Sequence, residues 1–212
     1  MIYLFSGLGA DKRVFKNLKI LEEFPHRFMD WIYPGNYDLK TYASLFIDQI
    51  DQDEEIILIG VSFGGMIVSE ISELIKVKKA ILISSSRNSG EIPKIYRLTG
   101  LSRLIDIVPS RLLTRSNRMT ECFFGVDKRE DQELLKRILK DTDTRFLKWA
   151  LKSILSWKRI DNTARLIQIH GDSDRILPWR YKNVGRLIKD GGHLMILNKS
   201  EEIDEILREE LK

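Results

Sequence analysis

Ser62 stands between glycines in Gly60-Val61-Ser62-Phe63-Gly64, a G-x-S-x-G sequence at the end of an apolar run. Where a strand passes into a helix through such a turn, the serine occupies a cramped corner. Its hydroxyl is forced out of the sheet, and the small residues on both sides let the backbone pack. A serine presented that way can attack a carbonyl if a base takes its proton and a carboxylate holds that base in the right tautomer. The bland alternative is a glycine-rich turn with an incidental serine. Three histidines could serve as base: His26, His170 and His193. His26, between Pro25 and Arg27, reads as an exposed residue before a strand, at the far end of the sheet. His170 ends a strand and reads as a buried histidine tied to backbone. His193 follows Asp190-Gly191-Gly192 after the last strand, in a loop at the end where Ser62 should emerge, which is where open parallel sheets bind ligands. Asp172 and Asp174 both sit in the loop after the preceding strand, and at this level either can be the carboxylate.

The elements that must position these groups follow from periodicity. Ile2 to Phe5 read as a first strand, followed by Ser6-Gly7-Leu8-Gly9-Ala10 and a helix over about Lys12 to Glu23, N-capped by Asp11. A dinucleotide fingerprint fails here because its third glycine would have to fall at Lys12. The loop suits instead a backbone whose N–H groups face a developing negative charge, with the dipole of the next helix behind them. Arg27 to Tyr33 predict a second strand, Leu39 to Ile50 a helix, Glu55 to Gly60 the strand before Ser62, and Lys79 to Ser84 a fourth strand. Such strand–helix units argue for an α/β fold with a parallel sheet covered on both faces. Residues 85–160 break the rhythm. Their pattern is helical throughout (Lys94 to Ile107, a short helix from Pro109, Asp131 to Lys140, Thr144 to Trp157), with bends at Gly100 and Gly125. Strands resume at Arg165 to His170 and Gly185 to Lys189, and Leu194 to Leu211 contain a closing helix. The implied organisation is a core of residues 1–84 and 161–212, with 85–160 inserted as a helical cap.

Composition sets the outer bounds. The fractions of 43% hydrophobic and 31% charged residues are those of a soluble globular chain of one domain, or one domain with an insertion. No apolar run approaches a membrane span, and the start goes straight into a strand without a secretory leader, which makes a cytoplasmic enzyme the expectation. Cys122 is the single cysteine. It permits no intramolecular disulfide, no cluster offers zinc ligands, and with Phe123 and Phe124 beside it Cys122 reads as a small buried hydrophobe. The net charge of +4, without a binding motif or long basic run, does not point to nucleic acid.

On three stretches the chain resembles the α/β-hydrolase family: Gly60-Val61-Ser62-Phe63-Gly64, the loop His170-Gly171-Asp172-Ser173-Asp174-Arg175-Ile176-Leu177-Pro178, and Gly191-Gly192-His193. They occur in the family's order Ser, Asp, His. The similar family loop usually reads His-Gly, two residues, Asp, then an apolar stretch ending in Pro. The resemblance therefore implies Asp174 as the acid, with Asp172 stabilising its loop. It also implies an oxyanion hole from the backbone N–H groups of Leu8 and Phe63, and no metal or cofactor. Two features depart from the family. The first loop opens Ser6-Gly7 where His-Gly is common, and the chain begins at the family's central strand. The fold implied is a shortened sheet of about six strands, all parallel, in the order second, first, third, fourth, fifth, sixth.

The expectation is a serine hydrolase acting on the carbonyl of a small acyl substrate, an ester or thioester. Acyl transfer and carbon–carbon bond cleavage use the same triad, and a non-catalytic ligand receptor could be built on the same scaffold. From Arg87 to Arg159 there are 17 Lys/Arg against 9 Asp/Glu, a net +8, leaving −4 for the remainder. That excess is ordinary solvated helix surface, a field that steers an anionic substrate, or a patch that meets a membrane surface. Nothing in the sequence fixes the oligomeric state.

Overall fold

In a computed structural model, the apolar runs form β1 (Ile2–Phe5), β2 (His26–Met29), β3 (Ile57–Val61), β4 (Lys79–Ile83), β5 (Leu166–Gly171) and β6 (Arg186–Ile188). The structure describes residues 1–97, 105–109, 114, 117–159, 166–181 and 184–212. Among these the strands make one six-stranded sheet, β2-β1-β3-β4-β5-β6, in which every pairing is parallel. This is the expected order. Side chains alternate across it: Leu4, Ile57, Ile59, Ile81 and Ile169 enter one apolar cluster, and Tyr3, Phe5, Leu58, Ala80 and Leu82 enter the other. Both faces are therefore buried over the central strands, which is why β1, β3 and β4 read as near-continuous apolar runs, whereas the edge strands β2 and β6 keep exposed residues.

The helices α1 (Leu39–Ser44), α2 (Phe63–Leu74), α3 (Arg118–Phe124), α4 (Arg129–Asp141), α5 (Thr144–Ser156), α6 (Met195–Asn198) and α7 (Ser200–Leu211) cover the sheet. Residues of α1, α2 and α5 pack into the cluster of Tyr3 and Phe5, and those of α4, α6 and α7 into that of Leu4 and Ile59. No described helix is long and apolar enough to cross a membrane.

Several boundaries differ from the periodicity. The helix expected over Lys12 to Glu23 is two 3-10 turns, Lys12–Phe15 and Lys19–Glu22. Between them Asn17 bonds the Leu197 carbonyl, and Asp204 of α7 accepts from the N–H groups of Lys19 and Ile20, so tertiary partners replace the helical ladder. The helix over Leu39 to Ile50 ends at Ser44, whose hydroxyl donates back to the Thr41 carbonyl, and resumes only as a 3-10 turn at Ile47–Gln49. The second strand stops at Met29, and Trp31 turns inward to donate from Nε1 to the Ala10 carbonyl at 2.9 Å. The closing helix is broken at Lys199 into α6 and α7.

Inside the insertion, Lys94–Arg97 is a 3-10 turn, and Gly125 ends α3 in the left-handed conformation, the expected bend. The helix expected from Pro109 and the bend at Gly100 lie largely outside the described residues. Cys122 is exposed, not buried, because α3 has no buried residue and turns Met119, Cys122 and Phe123 toward solvent. His26 is not ahead of the strand but opens β2, half-buried, with its ring edge-on to Phe28. It pairs with Ile2 at the end of the sheet away from Ser62.

Candidate active site

Ser62 follows β3 and caps α2 with φ 52° and ψ −118°, a sparsely populated conformation for a residue with a Cβ. Such a backbone costs about 1–3 kcal/mol and persists only where the surroundings over-determine it. They do so here. A Cβ on Gly60 would lie 2.5 Å from the Gly64 carbonyl carbon, and one on Gly64 would lie 2.2 Å from the Ser6 carbonyl oxygen. β3, α2 and the first loop are thus stacked with no room for a side chain between them. The Ser62 N–H donates to the Ile83 carbonyl at 2.9 Å, and the Ser62 carbonyl accepts from Ser85 Oγ at 2.5 Å.

The hydroxyl held in this corner meets His193. Ser62 Oγ is 2.8 Å from His193 Nε2, and His193 Nδ1 is 2.9 Å from Asp174 Oδ2. A carboxylate only accepts, so Nδ1 carries the proton and Nε2 is left to accept from the serine hydroxyl. Asp174 and His193 are both buried. Burial alone would push the Asp174 carboxyl up. The charge available on His193 and hydrogen bonds from His170 and His193 outweigh it and hold the group well below the usual carboxylate range. Its other oxygen, Oδ1, accepts from the N–H groups of Ile176 and Leu177, each at 2.8 Å. Asp172 lies outside this chain of bonds. Its Oδ1 accepts from the Asp190 N–H at 2.8 Å and from Ser173 Oγ, tying the β5 loop to the turn before His193.

His170 is fully buried, and Nε2 donates to the Leu177 carbonyl at 2.7 Å, as its reading as a backbone-tied histidine anticipates. The sequence reading missed that the same nitrogen lies 3.1 Å from Asp174 Oδ2. The available signal was the four-residue spacing across a strand end and a tight turn.

The first loop lies alongside. A Cβ on Gly7 would sit 3.7 Å from Ser62 Cβ, and among the described residues nothing accepts from the backbone N–H groups of Leu8 or Phe63. Ser6, in place of the common histidine, holds the loop by donating from Oγ to the Ala10 carbonyl at 2.8 Å. The helices from the insertion close in from the other side. Thr142 Oγ1 donates to the Gly9 carbonyl at 2.9 Å, the Leu194 N–H to the Phe124 carbonyl at 2.9 Å, and Asn198 Nδ2 to the Gly125 carbonyl at 3.0 Å. Phe146 stacks on Trp31 and, edge-on, on Phe63, while Phe124 meets the His193 ring edge at 5.8 Å. A cleft of about 550 Å³ borders the loops of Asp174 and His193 through Ser173, Arg175 and Gly192, but neither Ser62 nor Leu8 lines it. No group of His, Cys, Asp and Glu among the described residues could hold a metal ion.

A doubly covered parallel sheet, with a serine on a strained strand-to-helix turn and its histidine and aspartate on later loops, defines the class as α/β hydrolase. The chain belongs to the alpha/beta hydrolase family, whose model matches residues 2–206. Among solved structures it is similar to a lipase-esterase related protein from Clostridium acetobutylicum (TM-score 0.73, 18% identity, 98% of this chain and 93% of that one). It is also similar to MenH from S. aureus (TM-score 0.72, 16% identity, 97% and 91%) and to an esterase from Exiguobacterium antarcticum (TM-score 0.67, 21% identity, 98% and 90%). At these identities the likeness is one of fold. The sequence finds no match among curated proteins.

Proposed function

We propose that the protein is a serine hydrolase that cleaves an ester, thioester or related carbonyl substrate through an acyl-enzyme. Ser62 Oγ attacks the carbonyl carbon while its proton passes to His193 Nε2. Asp174 keeps His193 in the reactive tautomer and stabilises its charged form. The tetrahedral oxyanion is held by the N–H groups of Leu8 and Phe63. Collapse breaks the bond to the leaving group, which takes the proton from His193. Water, deprotonated by His193, then cleaves the acyl–Ser62 bond and frees the acid. These steps call for no metal or cofactor. The observation that carries the reading is the unbroken chain Ser62 Oγ, His193, Asp174 at 2.8 and 2.9 Å, anchored on a strained serine.

Residues 85–160 act in this reading as a cap that sets substrate choice. The support is that α3, the end of α4 and α5 meet the His193 loop, Gly9 and Phe63 respectively. Most of the segment's aromatics serve packing: Phe146 and Trp157 are buried, and Trp157 Nε1 donates to Glu70 of α2. That two structural neighbours are a lipase-esterase related protein and an esterase agrees with an ester substrate. The test is hydrolysis of a panel of p-nitrophenyl esters and acyl thioesters by wild type and Ser62→Ala. Turnover with an initial burst of one equivalent in wild type, and its loss in the variant, is the expected result. Turnover unchanged in Ser62→Ala would overturn the mechanism. Burst labelling without turnover would favour acyl transfer to another acceptor.

A further inference from the structure

The acid of the site is shared by two histidines, and the mechanism above uses one. His170 Nε2 lies between the Leu177 carbonyl at 2.7 Å and Asp174 Oδ2 at 3.1 Å, with its side chain and that of Asp174 both fully buried. A backbone carbonyl can only accept, so Leu177 fixes the Nε2–H tautomer of His170, and the same proton faces the carboxylate oxygen that His193 uses. Leu177 closes the loop by donating its own N–H to Oδ1. We propose that His170 is a positioning residue of the active site, a fixed donor that aims and tempers the Asp174 carboxylate so that its Oδ2 meets His193 Nδ1. The inference rests on the Ser62–His193–Asp174 reading.

The electrostatic consequence has a definite sign. A carboxylate oxygen that accepts two donors offers less of its charge to each. With His170 as donor, Asp174 offers less of its charge to His193 Nδ1 than it would alone, and removing that donor should strengthen the hold of the carboxylate on a charged His193. The neighbouring charges are turned elsewhere. Asp172 accepts from the Asp190 N–H, Arg175 points to Cys122 Sγ, and Arg87 and Glu91 engage each other and Gln168. Asp174 and His193 are therefore the ionisable groups that report on His170.

The test compares wild type with His170→Gln, which retains an N–H donor, and His170→Leu, which removes it at similar volume. Each is assayed for kcat and KM on a p-nitrophenyl ester across pH, normalised to active sites titrated with a fluorophosphonate. His170→Leu should lower kcat about tenfold at an unchanged KM and move the acid limb of kcat/KM to higher pH by roughly half a unit or more. His170→Gln should recover most of both. A merely structural histidine would lower the melting temperature of His170→Leu and leave kcat per titrated site and the acid limb where they were, which overturns the proposal. If His170→Leu does not fold, the tautomer of His170 in wild type, read by 15N NMR, decides: Nε2–H supports the proposal and Nδ1–H refutes it. Ser62→Ala is assayed in parallel. Full activity there brings down the underlying mechanism, whereas a dead Ser62→Ala beside an unaltered His170→Leu brings down only the role of His170.

Discussion

The loops that leave the sheet and the helices inserted between β4 and β5 meet at the same serine, but they are held there differently. In the loops the polar groups of the site are tied by directional bonds: Asp174 takes two backbone N–H groups, Asp172 one, Ser6 donates to a carbonyl, and the Ser62 backbone donates to the Ile83 carbonyl and accepts from Ser85 Oγ. In the insertion the contacts nearest the serine are aromatic, Phe146 on Trp31 and Phe63, and stand beside hydrogen bonds and ion pairs to the core such as Thr142 to Gly9, Tyr96 to the Ile176 carbonyl, and Trp157 and Arg159 to Glu70. It also leaves Met119 and Phe123 exposed. Directional bonds fix angles that a reaction needs, while apolar contact fixes proximity and tolerates exchange of side chains. Substitution in the loops should thus abolish the chemistry, and substitution in the insertion should redirect it.

The largest expected effect is at the acid. Asp174→Asn should lower kcat by about 10³–10⁴-fold, because the amide stabilises the wrong tautomer of His193, whereas Asp172→Asn should cost less than about tenfold. Steady-state kinetics on one ester checks the ranking, and the reverse order would reassign the acid. Stability should follow with a definite sign. Folding depresses the Asp174 carboxyl, so its ionised form favours the native state. That contribution is fully present above about pH 4, the ordinary aspartate range, and is lost as the pH falls through the lowered folded value. Acid unfolding curves of Asp174→Asn should lack this part of the slope.

Gly9 marks the border between the two regions. It has φ +67°, and a Cβ there would lie 2.4 Å from Thr142 Cγ2 of the insertion. Gly9→Ala should displace the loop that carries the Leu8 N–H and lower kcat about 10–100-fold. Gly9→Ala with Thr142→Ala should recover only part of it, since the backbone strain remains after the clash is relieved. Full activity in the single variant would remove Leu8 from the oxyanion hole.

Phe124→Ala, which strips the ring beside His193, should change relative kcat/KM among short and long acyl esters by a few-fold and leave fluorophosphonate reactivity within about threefold. Parallel loss on every ester and on the fluorophosphonate would make α3 part of the machinery. Smallest is the charge effect. If the net +8 of residues 87–159 steers substrate, carboxylated or phosphorylated acyl esters should lose about two- to fivefold in kcat/KM between low and moderate salt while neutral esters do not. Equal salt profiles would leave the basic residues as solvated surface.

What was legible in the sequence is local. The turn at Ser62 announces itself because only glycine fits at Gly60 and Gly64, and the parallel pairing of the strands follows from the βα repeat, while their order was implied only by the family resemblance. Asp172 and Asp174 could be separated only by resemblance, since both lie in one loop and their different partners appear only when β6 returns beside β5. The broken first helix was hidden because Asp204, which takes its N–H groups, lies 185 residues from Lys19. Thr142, 133 residues from Gly9, left no trace for the same reason. The two phenylalanines beside Cys122 in the sequence do not bury it. In a helix consecutive residues face different ways, and α3 turns Cys122 outward while Phe124 turns toward His193.

If Ser62 is a nucleophile activated by His193, covalent labelling should depend on both residues. Wild type, Ser62→Ala and His193→Ala are each incubated with a fluorophosphonate, and the adduct is located by peptide mass spectrometry while its rate of formation is followed. One adduct is expected, on Ser62, absent in Ser62→Ala and formed at least about 10²-fold more slowly in His193→Ala. An adduct on another residue, or labelling of Ser62 at an undiminished rate without His193, would contradict it.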